Sequence, residues 1–119
     1  MSMKFPTPEA MNEFQRLARA LLGEDVEAGK MFGKDALKYG SKAIACLLED
    51  SMGFKVGRDS KAMATALNYP GATLFDLSGQ GRPYRDWVSV PDSSLEHWET
   101  LMRAALNTAI QAEDEPQEA

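Results

Sequence analysis

Glycine recurs at positions 29, 33, 40 and 53 of a stretch, 26–56, in which short apolar segments alternate with turn residues. In a helix interior glycine loses the most backbone freedom and offers no side chain to pack. Its recurrence at this spacing discourages a long helix and favours strands joined by turns. The segment therefore reads as three strands near 26–32, 37–48 and 52–56, the second able to fold as a hairpin turning at Gly40-Ser41. Lys30, Lys34, Lys38 and Lys42 fall at even positions, so on a strand they share one face and Met31, Leu37 and Tyr39 the other. Spacing of four would also make a basic stripe on a helix. The glycines favour the strand, and with it a solvated sheet face.

Helical patterns flank this region. Thr7-Pro8-Glu9 has a capping hydroxyl, a proline suited to the first helical position and an acid for the positive end of the dipole. Met11, Phe14, Leu17, Ala18, Leu21 and Leu22 then share one helix face, and Gly23 is the expected stop. Asp59 is the expected cap of a second helix with Ala62, Met63, Ala66 and Leu67 on one side, ended by Asn68-Tyr69-Pro70-Gly71. Segments 73–77 and 84–90 read as strands around the loop Ser78-Gly79-Gln80-Gly81-Arg82-Pro83, and Pro91 closes the sheet. Ser93-Ser94-Leu95-Glu96 has capping-box spacing, and Leu95, Trp98, Met102, Ala105 and Ala109 supply the buried stripe of a final helix. The order αβββαββα predicts an α+β fold, an antiparallel sheet of about five strands with three helices packed on it.

Composition narrows the class. A chain of 119 residues suits a single domain, here 1–112, followed by an acidic flexible tail, 113–119. Charged residues at 26% and hydrophobic ones at 44% are ordinary globular proportions. The first residues lack the apolar stretch of a secretory signal, and the run Ala43-Ile44-Ala45-Cys46-Leu47-Leu48 falls far short of the ~20 residues of a membrane helix. Cys46 is the only cysteine and sits within that run, which implies a packed thiol. Together these point to a cytoplasmic protein without a membrane partner. Net charge is −5, but Glu113, Asp114, Glu115 and Glu118 crowd the tail and leave a nearly neutral body. Phosphate backbones are bound by clustered Lys and Arg, so direct nucleic-acid binding is not expected.

Few motifs in the sequence carry recognisable chemistry. Gly29-Lys30-Met31-Phe32-Gly33-Lys34-Asp35 is one residue short of a phosphate-binding P-loop and lacks its Ser or Thr. Gly79-Gln80-Gly81 lacks the third glycine of a dinucleotide fingerprint. His97 and Cys46 stand alone in different elements, so no metal site is expected. No cofactor or catalytic residue is expected either. The densest segment is 75–88, where Gly79, Gly81, Arg82, Arg85, Asp86 and Trp87 are the candidate interaction or ligand residues. Its plainer reading is a tight loop held by Arg–Asp pairs with Trp87 packed on the core.

Lys30-Met31-Phe32-Gly33, Ala36-Leu37-Lys38, Gly40-Ser41-Lys42 and Phe54-Lys55-Val56 resemble the opening of the TfoX/Sxy family N-terminal domain. Phe75-Asp76, Gly81-Arg82-Pro83, Asp86-Trp87-Val88 and Val90-Pro91, then Trp98 and Leu101, resemble its second half as seen in single-domain members. Ser41 departs from the usual Gly-Gly or Asp-Gly before Lys, and Leu77 from a frequent Pro. The resemblance implies a non-enzymatic regulatory or protein-interaction domain with a protein partner, compatible with a homo-oligomer. The alternative is a small-ligand-binding or enzymatic domain built on the 79–87 hairpin.

Overall fold

The structure is a computed structural model and describes residues 6–76, 81 and 83–114. Its first helix, α1 (Pro8–Ala20), starts as its sequence dictates: Thr7 is extended, and its hydroxyl accepts from the Ala10 N–H at 3.2 Å. Ala10, Phe14 and Leu17 are buried along one side. The helix ends before Gly23, because Leu21 is fully buried and the chain turns there through a 3-10 turn, Leu22–Glu24. Asp25, at φ 65°, then aims the backbone into the sheet, a conformation that a short polar side chain tolerates.

Among the described residues six strands follow where about five were expected, since segment 37–48 does fold as a hairpin. They are β1 (Val26–Met31), β2 (Lys34–Tyr39), β3 (Lys42–Leu47), β4 (Ser51–Lys55), β5 (Thr73–Phe75) and β6 (Tyr84–Pro91). Every pairing is antiparallel, in the order β1-β2-β3-β4-β6-β5, so β6 slots between β4 and the edge strand β5. Position 77, expected in β5, lies outside the described residues. A register shift between Leu37 and Lys38 leaves Ile44 as an extra residue on β3. That bulge lets Ile44 and Ala45 both join the main core.

The turns correct the lysine expectation. Phe32-Gly33 is a two-residue turn, with Met31 opposite Lys34 and Lys30 opposite Asp35. Two turn residues invert the parity between strands, so Lys34 and Lys38 share one face while Lys30 and Lys42 fall on the other. The four lysines therefore form no common stripe.

Two further caps differ from expectation. Helix α2 (Lys61–Ala66) is capped by Ser60 rather than Asp59, because Ser60 is the extended residue just before the first turn. Its hydroxyl accepts from the Met63 N–H at 3.0 Å. The Ser93–Glu96 box does not form: Asp92–His97 is a 3-10 stretch with a kink at Ser94, and α3 (Trp98–Asp114) begins after it. Asp92 is held elsewhere. Its N–H donates to the Asp50 carbonyl and its carboxylate accepts from the Thr7 hydroxyl, while the Thr7 N–H donates to the Glu49 carbonyl. The start of α1, the β3–β4 turn and the end of β6 are thereby tied at one corner.

All three helices pack on one sheet face, over a core that includes Leu17, Leu37, Leu47, Phe54, Val88, Trp98 and Met102. The opposite face has a small second cluster: Cys46, Phe75 and Trp87 are buried, with Met31, Ala43, Leu48 and Tyr84 packed around them. Gly53 is what lets Phe75 lie flat there, for a Cβ on residue 53 would sit 2.4 Å from the ring's Cδ1. Among the described residues no helix is long and apolar enough to cross a membrane.

Candidate functional site

Of the residues singled out in the sequence, Gly79 and Arg82 lie outside the described residues. Gly81 is exposed at φ 77°, and its N–H donates to Asp76 Oδ2 at 2.9 Å, tying the chain just after β5 to the chain just before β6. Arg85 is exposed on β6.

Asp86 has its ionic partner in a different segment from the one expected. Its Oδ1 accepts from the Arg58 N–H at 3.1 Å and from Arg58 Nε at 3.0 Å, while its carbonyl accepts from the Gly57 N–H. The hydrogen bond from the Arg58 side chain holds the Asp86 carboxyl below the ordinary carboxylate range. Asp86 thus fastens the β4–α2 connection to β6. Trp87 is 6% exposed, stacked on Phe75 at 5.3 Å and edge-on to Tyr84 at 6.3 Å. Arg85 and Asp86 are neighbours in sequence, yet alternation along β6 sends their side chains to opposite faces of the sheet.

Cys46 is fully buried in the same second-face cluster as Trp87. Burial pushes its thiol up to about 11, because the thiolate would lose its hydration there. Alkylating reagents should label native Cys46 far more slowly than the denatured chain, as a time course read by mass spectrometry would show. A pH dependence follows as well. The unfolded thiol ionises from about pH 9 while the folded one keeps its proton to about 11, so the folded state binds more protons in that window. Stability should fall as pH rises from 9 towards 11, and Cys46→Ala should flatten that decline in denaturation curves recorded across the range.

His97 stacks on Tyr69, ring centroids 4.3 Å apart and planes 11° apart. No group of three His, Cys, Asp or Glu among the described residues could hold a metal ion. A groove of about 350 Å³ lies between α3 and the β2–β3 turn, lined by Tyr39, Lys42, Ile44, Lys55, Ala105 and Thr108 among others. Among the described residues, none of those lining it belongs to the 79–87 segment.

A different feature, missed in the sequence, is the tip of the β1–β2 hairpin. Phe32 is 77% exposed and adopts φ 50°, with Gly33 at φ 79°. A turn with two left-handed residues favours Asn-Gly or Gly-Gly; a bulky L-residue in that region costs about 1–2 kcal/mol. Phe32 is therefore unfavourable twice over, in backbone conformation and in exposed apolar area. The signal was present in Met31-Phe32-Gly33-Lys34, where an aromatic stands at a position suited to asparagine.

Among the described residues the hairpin also leaves a free sheet edge. β1 is an outer strand paired with β2 along its whole length without a register shift, and it contains no proline. The other outer strand, β5, spans only Thr73–Phe75 and carries a register shift. Short or bulged edges resist pairing with other chains, whereas long regular ones invite it. No protein-family model, curated protein or solved structure matches the chain.

Proposed function

We propose that the chain is a non-enzymatic regulatory or protein-interaction domain, of the kind its resemblance to the TfoX N-terminal domain implies. Its working surface is the β1 side of the sheet with Phe32 at the hairpin tip. The observation that carries this reading is Phe32 itself. An exposed aromatic in a strained turn lowers the stability of the isolated chain, and such residues cluster where a partner offsets the penalty. The regular β1 edge beside it offers backbone groups for a partner strand, a recurring mode of protein recognition.

Site-specific photo-crosslinking in cells tests the reading. A benzophenone side chain at position 32 should capture a protein, while the same group at Lys61, exposed on α2, should not. Equal capture from both positions, or none from 32, would overturn it.

A further inference from the structure

We infer that the partner of the β1 edge is a second copy of the chain, with the two β1 strands pairing antiparallel about a two-fold axis at Ala28. The inference rests on the reading above for the edge it uses and adds the identity of the occupant. Met31 and Lys34 close the two-residue turn. Alternation along the ladder then points the N–H and C=O of Val26, Ala28 and Lys30 away from β2. These are the groups a new strand would meet.

A sheet continued across a two-fold axis brings together residues from the same face. Centring the axis on Ala28 sets Ala28 against Ala28, Val26 against Lys30 of the other copy, and Glu27 against Gly29. All the outward groups are then used, in about six backbone hydrogen bonds. No like charges meet. A Lys30-centred register would oppose two lysines. A Gly29-centred one would run Val26 into the Phe32 turn and keep only about four bonds. A Val26-centred one would run Ala28 into the turn at Glu24. The small side chains of Ala28 and Gly29 leave room at the centre.

A second observation points the same way. Among the described residues the exposed large apolar side chains are Phe32 at 77%, Leu22 at 62% and Leu67 at 42%. Phe32 and Leu22 flank β1, one beyond each end. The Ala28-centred axis carries the Phe32 end of each strand to the Leu22–Glu24 turn of the other. Both exposed side chains are thereby gathered at two symmetric places, where either would otherwise remain in water.

Sedimentation of the full chain over a concentration series tests this directly. The wild type should pass from monomer to dimer. Ala28→Pro should remain monomeric with an unchanged far-UV spectrum, because the Ala28 N–H takes no part in the ladder with β2. An independent variant guards against local distortion by proline. Ala28→Cys should form a covalent dimer on mild oxidation, since residue 28 meets itself, whereas Lys61→Cys should not; native Cys46 is fully buried. A wild type that stays monomeric at its highest soluble concentration overturns the inference, as does dimerisation of Ala28→Pro equal to wild type. A monomer that still crosslinks a different protein through position 32 overturns self-pairing while leaving the interaction reading in place.

Discussion

Gly53→Ala is expected to destabilise the fold by about 2–3 kcal/mol, a large effect for one methyl group. Glycine in a strand is ordinarily a weak point, and alanine on a solvated face would be neutral or better. Here the added Cβ would stand 2.4, 2.7 and 2.9 Å from Cδ1, Cε1 and Cγ of Phe75. That ring is fully buried and stacked on Trp87, so it cannot yield without disturbing the second-face cluster. Urea denaturation would measure the loss. The cause can be isolated with a double-mutant cycle, since Phe75→Ala removes the obstructing ring. The two changes together should cost much less than their sum. An additive result would place the penalty in the backbone rather than in the contact.

Trp98→Ala is expected to cost about 3–5 kcal/mol, enough to unfold much of the population of a small domain. Trp98 is fully buried at the start of α3 and meets Phe54 edge to face at 6.3 Å. It therefore joins the final helix to the middle of the sheet, where β4 pairs with both β3 and β6. Its indole Nε1 is buried with no hydrogen-bond partner among the described residues. A buried unpaired donor is itself unfavourable, so part of the indole's packing energy is offset. Trp98→Phe should then cost clearly less than Trp98→Ala in the same thermal or urea melts. Equal losses for the two variants would show that the aromatic ring contributes little to this junction.

What could be read in the sequence was what depends on neighbours along the chain. The Thr7 cap, the apolar face of α1, the turn at Gly40 and the burial of Cys46 follow from local spacing and composition. Helix starts were less legible where two candidate caps adjoin: Ser60 displaced Asp59 because backbone direction, absent from the sequence, decides which residue precedes the first turn. The shared lysine face failed through counting across a turn, since parity between strands depends on how many residues the turn takes. Gly53 was legible as a strand glycine, but the Phe75 ring over it comes from β5, two strands away across β6. Asp86 was recognised as the acid of an Arg–Asp pair; Arg58, its actual partner, arrives from a connection that only the assembled sheet brings near. Phe32 stands in the Met31-Phe32-Gly33 motif, yet its left-handed backbone and exposure follow from the two-residue turn that the strand register imposes.

We propose that the chain works through the β1 edge and Phe32 rather than through a ligand site on the 79–87 hairpin. Two variants of the full chain compared in native extracts of its own cells test that choice most directly. Phe32→Asn suits the left-handed turn and removes the aromatic, so the fold should hold or gain stability. Arg85→Ala removes an exposed candidate of the hairpin. The readout is the size of the native complex that carries the chain. Phe32→Asn is expected to shift the chain to its monomeric size, and Arg85→Ala to leave the complex intact. Loss of the complex with Arg85→Ala and its persistence with Phe32→Asn would place the working surface on the hairpin instead of the β1 edge.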